Sequence, residues 1–121
     1  MHFAVQKLVP MNQQAAHNAE VYKVRDKIEL ICADAIQALP SICADVIFLS
    51  PPWGGPNYHR ETFRLSQLTV SNMNGLQILK QALQITRNVA YYLPRNVDLR
   101  EVLELGVPFE VRPSVQMLVL T

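Results

Sequence analysis

The chain has 121 residues, half of them hydrophobic and 17% charged, the composition of one small globular domain and not of a disordered or low-complexity segment. Eleven Lys+Arg against ten Asp+Glu leave a formal charge of +1, so bulk charge does not hold nucleic acid and any such contact needs a local patch. No apolar run approaches the roughly 20 residues that span a bilayer; MHFAVQKLVP lacks the apolar core of a secretory signal, and Cys32 and Cys43 suit two unbridged thiols of a soluble intracellular protein.

In chain order, Phe3–Leu8 is a candidate first strand, and residues 11–23 read as a helix opened by Pro10, with Met11, Ala15, Ala19 and Tyr22 on one face. Ile28–Cys32 reads as a short strand, followed by Asp34 and a brief helical piece over Ala35–Leu39. Asp45–Leu49 (DVIFL) has the near-continuous apolar pattern of a strand buried on both faces. Ser50-Pro51-Pro52 stops it, because proline fixes φ and removes ladder donors. Residues 57–74 are polar and expected to be irregular, with Asn72 or Asn74 capping a helix over Gly75–Arg87 whose Leu76, Leu79, Leu83 and Ile85 or Thr86 line one side. Val89–Leu93 is a second buried strand ended by Pro94-Arg95-Asn96. Asp98 then caps a helix Leu99–Leu105 stopped by Gly106, and Phe109–Arg112 with Val115–Leu120 form a closing antiparallel hairpin around Pro113-Ser114. Strands alternating with helices predict an α/β fold with a mostly parallel sheet and helices on both faces. With no repeat, charge block or linker, residues 1–121 read as a single domain.

Ligands of open α/β sheets bind beyond the carboxyl ends of the strands. Three such ends are legible: Asp34, Ser50-Pro51-Pro52-Trp53 and Pro94-Arg95-Asn96, and strand polarity directs them to one edge. Each has an ordinary reading beside the functional one. Asp34 is either an acceptor for a ligand amine or the N-cap of the helix after it. Arg95 is either a bidentate phosphate clamp or a solvated loop arginine, and the basic cluster of His59, Arg60 and Arg64 is either a patch for an anion or a solvated surface. SPPWGGP, residues 50–56, is more pointed, since prolines and glycines bracket the single tryptophan directly after a strand. Such a loop presents an indole for stacking on a planar, preferably cationic ring; alternatively, the tryptophan folds back onto the domain. A Ser-Pro-Pro-aromatic turn also suits transfer of a methyl group to an exocyclic amine. A side-chain oxygen and a proline carbonyl accept the amine protons and aim the nitrogen lone pair at the methyl of S-adenosylmethionine, so orientation carries most of the work.

SPPWGGPNY (Ser50–Tyr58) after ADVIFL, together with HNAEVYKVRDKIELICAD (His17–Asp34), ETF (Glu61–Phe63) and YYLPRN (Tyr91–Asn96), resembles the trimethylguanosine synthase family of RNA cap guanosine-N2 methyltransferases over about residues 10 to 105. The resemblance implies a partial Rossmann-like class I methyltransferase sheet and S-adenosylmethionine as cofactor. It implies as substrate the 7-methylguanosine cap of small nuclear and nucleolar RNAs, taken to 2,2,7-trimethylguanosine, and a nuclear or nucleolar location, with the cytoplasm also open. Carried over by position, Trp53 stacks on the cationic 7-methylguanine, Ser50 and Pro51 hold the guanine N2 amine near the methyl donor, and Asp34 contacts the cofactor adenine. Arg95 binds cap phosphates with Asn96 or Tyr58 nearby, and Asn18 matches a further cap-side position.

The departures lie on the cofactor side. The family has a glycine-containing cofactor loop and an acidic segment for the ribose hydroxyls. Here the four glycines are Gly54, Gly55, Gly75 and Gly106, Lys7-Leu8-Val9-Pro10 stands where the acid belongs, and Ala33-Asp34 replaces Gly-Asp. Two outcomes are therefore expected: a truncated domain, in which Asp45–Leu49 lacks its family neighbour and leaves unpaired edges and exposed apolar faces, or a compact rearrangement that closes the gap. The alternatives are an inactive relic that binds the cap or a protein partner through the Trp53 loop, and an amino-methyltransferase acting on another substrate such as DNA.

Overall fold

The computed structural model of the protein describes residues 2–6, 9–53 and 62–121. They divide into two compact units, Met1–Ser41 and Ile42–Thr121.

In the first unit, strand β1 (His2–Gln6) pairs in parallel with β2 (Ile28–Cys32), His2 opposite Ile28 and Gln6 opposite Cys32. The crossover is helix α1 (Val9–Val21), with Pro10 in its first turn, where a missing N–H costs nothing. The helix begins and ends two residues earlier than periodicity suggests. Lys23 adopts a left-handed φ of 59°, and Val24 N–H returns to the Ala19 carbonyl at 2.9 Å. Of the face expected to pack, Ala19 is buried and Ala15 half-buried, whereas Met11 and Tyr22 are exposed; Tyr22 already lies in the turn beyond the helix. After β2, Asp34 Oδ1 accepts from Ile36 N–H at 2.9 Å and caps α2 (Ala35–Ala38), which passes into a 3-10 turn over Leu39–Ser41.

In the second unit, β3 (Val46–Leu49), β6 (Asn88–Tyr92), β7 (Phe109–Arg112) and β8 (Met117–Leu120) form a sheet of order β3-β6-β8-β7. β3 and β6 are parallel, and the β7–β8 hairpin adds its second strand antiparallel to β6. The expected closing hairpin is therefore present. Its turn is a 3-10 segment, Pro113–Val115, followed by Gln116 in the left-handed region. Helix α3 (Gly75–Ile85) connects β3 to β6 and opens with a reciprocal cap. Asn74 Oδ1 accepts from Gln77 N–H at 2.9 Å, and Gln77 Oε1 accepts from Asn74 N–H at 2.8 Å.

Four expectations are corrected in this unit. The buried stripe of α3 is Gly75, Ile78, Leu79 and Ala82, so Leu76 and Leu83 flank the core instead of lining it. The stripe turns this way because Gly75 lies against the Leu65 carbonyl and the Leu68 side chain. Part of the stretch expected to be irregular is ordered and contributes to the core. Phe63, Leu65 and Leu68 are buried, Leu65–Gln67 forms a 3-10 turn, and β4 (Thr69–Val70) pairs antiparallel with β5 (Met73–Asn74). Further, β3 is buried on one face only: Ile47 is 8% exposed, but Val46 and Phe48 are 64% and 58% exposed. Its single partner among the described residues is β6, which leaves it an end strand carrying an apolar outer face. Helix α4 (Arg100–Leu103) is shorter than expected, and Gly106 ends its turn at φ 68°.

Candidate functional site

Parallel pairing of β3 with β6 brings two loops to one end of the sheet. Leu49 lies opposite Tyr91, so the register sets Ser50 level with Tyr92, and the chain leaves both strands in the same direction. Pro51 and Trp53 are half-buried, while Ser50 and Pro52 are exposed. The indole does not stand free of the domain. Its Nε1–H donates to the Tyr92 carbonyl at 3.2 Å, and the two rings lie 5.1 Å apart between centroids, tilted by 35°. Trp53 thus combines the two readings, sitting in a loop at the strand end yet held against β6.

Beyond Trp53, residues 54–61 lie outside the described residues, and with them Tyr58, His59 and Arg60. The chain returns at Phe63 to the same β6 loop. Phe63 N–H donates to the Asn96 carbonyl at 3.0 Å, and Asp98 N–H donates to the Phe63 carbonyl at 2.7 Å. Glu101 fastens the next turn, accepting from both the backbone N–H and the hydroxyl of Ser66. Arg95 lies between these anchoring points, exposed and without an ion pair among the described residues, beside half-buried Asn96.

Asp98 organises the neighbouring charge. Its carboxylate accepts from the Arg100 guanidinium at 2.6 to 3.0 Å and from the Arg100 backbone N–H at 3.0 Å, with Arg64 at 4.0 Å. Those hydrogen bonds from Arg100, aided by the charges of Arg100 and Arg64, outweigh desolvation and lower its pKa to about 2. Arg64 lies within ion-pair range of this acid.

The structure unites Ser50, Pro51, Trp53, Arg95 and Asn96 in the second unit. Asp34 and Asn18 belong to the first. Asp34 is half-buried at the end of β2, with one carboxylate oxygen capping α2, as the ordinary reading expected. Asn18 is exposed on α1, its carbonyl accepting from Tyr22 N–H at 3.0 Å. Tyr92, which holds Trp53, and Gln116, whose Oε1 accepts from the Tyr92 hydroxyl at 3.0 Å, were not legible as site residues. The alternation in β6 carried a partial signal, because it buries Tyr91 and turns Tyr92 to the other face. Among the described residues no group of three His, Cys, Asp or Glu side chains could hold a metal, and no helix is long and apolar enough to cross a membrane.

The fold is that of a partial class I methyltransferase, with parallel strands, helical crossovers and an antiparallel hairpin added to β6. A model of the RNA cap guanine-N2 methyltransferase family matches residues 4–118. The trimethylguanosine synthase of Schizosaccharomyces pombe is 33% identical to the chain over a region covering 76% of it and 41% of that protein. The trimethylguanosine synthase of Saccharomyces cerevisiae is 37% identical over 71% of the chain and 29% of its own length. The chain belongs to the RNA cap guanine-N2 methyltransferase family. It spans less than half the length of these curated relatives.

Proposed function

We propose that the chain carries the cap-facing half of an S-adenosylmethionine-dependent guanine-N2 methyltransferase site. Its substrate would be the 7-methylguanosine cap of small nuclear and nucleolar RNAs, its product the 2,2,7-trimethylguanosine cap, and its location the nucleus. One observation carries this reading: the Ser50–Trp53 turn and the Pro94–Asn96 loop leave adjacent parallel strands at the same end, with Trp53 fastened to Tyr92 between them.

In this reading the Trp53 ring stacks on the cationic 7-methylguanine, an arrangement favoured by the quadrupole of the indole. The Ser50 hydroxyl and the Pro51 carbonyl accept the two N2 protons and fix the direction of the nitrogen lone pair. Since the nitrogen sheds its proton after alkylation, the chain's task is alignment and not base strength. Arg95 meets the cap phosphates through its guanidinium fork, with Asn96 beside it as a further polar contact.

S-adenosylmethionine, when bound, supplies the electrophilic methyl group. The described residues make only part of a site for it. Asp34 has one carboxylate oxygen committed to Ile36 N–H, and residues 1–53 contain no glycine. The residues present fit an adenine-side contact and an amine acceptor, and the rest of the cofactor cradle is not among them.

The test is quenching of the single tryptophan by 7-methylguanosine diphosphate, with and without S-adenosylmethionine. Saturable quenching stronger than that by unmethylated guanosine diphosphate is expected. A folded chain whose fluorescence does not respond would refute the stacking role.

A further inference from the structure

Tyr92 holds the Trp53 indole in two ways. The Tyr92 carbonyl accepts its N–H, and the Tyr92 ring lies against it. The carbonyl is fixed by β6, but the phenol ring has its own rotamer freedom, and its orientation is set where its hydroxyl meets Gln116 Oε1 at 3.0 Å. Gln116 is itself immobilised through its backbone. Its N–H donates to the Pro113 carbonyl at 3.2 Å, and its carbonyl accepts from Leu93 N–H at 3.0 Å, the residue directly after Tyr92.

The conformation of Gln116 is informative. At φ 55° and ψ 41° it occupies the left-handed region, where glycine or asparagine sits with less strain. Neither could do what glutamine does there. Glycine has no side chain, and asparagine is one methylene shorter than the side chain that reaches the Tyr92 hydroxyl.

We propose that Gln116, on the β7–β8 turn, is a positioning residue for Trp53, acting through the Tyr92 ring to fix the tilt and accessibility of the indole. The closing hairpin is thereby part of the aromatic platform and not only the edge of the sheet. Its consequence for cap binding rests on the stacking role proposed above, whereas the linkage itself stands on contacts within the chain.

Collisional quenching of Trp53 by iodide, in the full chain without ligand, tests the linkage. Tyr92→Phe keeps the ring and removes the hydroxyl. Gln116→Asn keeps a residue suited to the left-handed turn and shortens the reach, and Gln116→Glu retains an acceptor at full length. The quenching constant is expected to rise in Tyr92→Phe and in Gln116→Asn, to rise no further in the double variant, and to stay near wild type in Gln116→Glu. Unchanged quenching in both single variants, additive increases in the double variant, or a Gln116→Glu chain that behaves like Gln116→Asn would overturn the proposal. Should Gln116→Asn fail to fold by circular dichroism, Tyr92→Phe decides by itself, because it alters one exchangeable contact and no backbone.

Titration with 7-methylguanosine diphosphate separates the two claims. Where wild type binds, Tyr92→Phe should weaken affinity about 2- to 10-fold, the loss that accompanies a neutral hydrogen bond. Where wild type does not bind, the cap reading fails, and the iodide result still decides the linkage.

Discussion

At the residue scale, Asp98 gathers charge around one carboxylate. Its carboxyl is lowered from an ordinary 3.8 to about 2, chiefly by the Arg100 hydrogen bonds. A folded-state value below the unfolded one means that ionised Asp98 favours the fold above about pH 4, and that this contribution is lost as pH falls toward 2. Asp98→Asn should therefore flatten the acid limb of thermal stability across that interval, measured by circular dichroism melts at stepped pH. The change should be small, since Arg100 is largely solvated. Trp53 and Arg95 carry the two separable parts of the proposed cap contact. Trp53→Ala should lose roughly 1–3 kcal/mol of affinity for 7-methylguanosine diphosphate, the scale of base–aromatic stacking; isothermal titration is the check for this variant, which has lost the fluorophore. Arg95→Ala should retain the stacking and reduce the salt dependence of binding. An equally steep salt slope in that variant would remove Arg95 from the phosphate contact.

Among the elements, α3 depends on its first residue and on its N-cap. A Cβ at Gly75 would stand 2.8 Å from the Leu65 carbonyl oxygen and 2.9 Å from Leu68 Cδ2, too close without moving backbone. Gly75→Ala should therefore destabilise by about 1–3 kcal/mol through overpacking, against the roughly 1 kcal/mol that alanine gains as a helix former. Urea denaturation will show which effect wins, and a more stable variant would mean the 3-10 turn at Leu65 yields easily. Asn74→Ala, which removes one half of the reciprocal cap, should cost about 1 kcal/mol, and Asn74→Asp much less. The loop between β3 and α3 is held differently, through main-chain bonds of Phe63 to Asn96 and Asp98 and through Ser66 to Glu101. These contacts join the far end of the Trp53 loop to the segment that carries Arg95.

On the scale of the whole molecule, the uneven depth of burial governs stability. The second unit has a core of Leu79, Tyr91, Val89, Leu118 and Leu120 spread over α3, β6 and β8. The first unit rests on a two-stranded sheet with α1 and the short α2. Two-stranded sheets are marginal alone, so amides of β1 and β2 should exchange with deuterium well before those of β6 and β8. The outer face of β3 is an association hazard, an end strand among the described residues with Val46 and Phe48 exposed. Val46→Lys should raise the concentration at which light scattering first detects aggregates, with little change in the melting temperature.

The positions of most strands, the helix stop at Gly106 and the closing hairpin were legible in the sequence because they rest on local chemistry. Proline removes ladder donors, glycine adopts positive φ, and alternation of apolar residues follows the strand period. The family was legible for a similar reason, since SPPWGGP and LPRN are contiguous. The apolar run at β3 misled because periodicity reports which residues prefer burial and not whether anything covers them. The face of α3 misled because a glycine carries no hydropathy signal while permitting the closest contact of all. Tertiary structure alone decided that Trp53 leans on Tyr92 and that Gln116 reaches Tyr92, across separations of 39 and 24 residues. Such contacts are set by strand register and backbone closure, which no local pattern encodes.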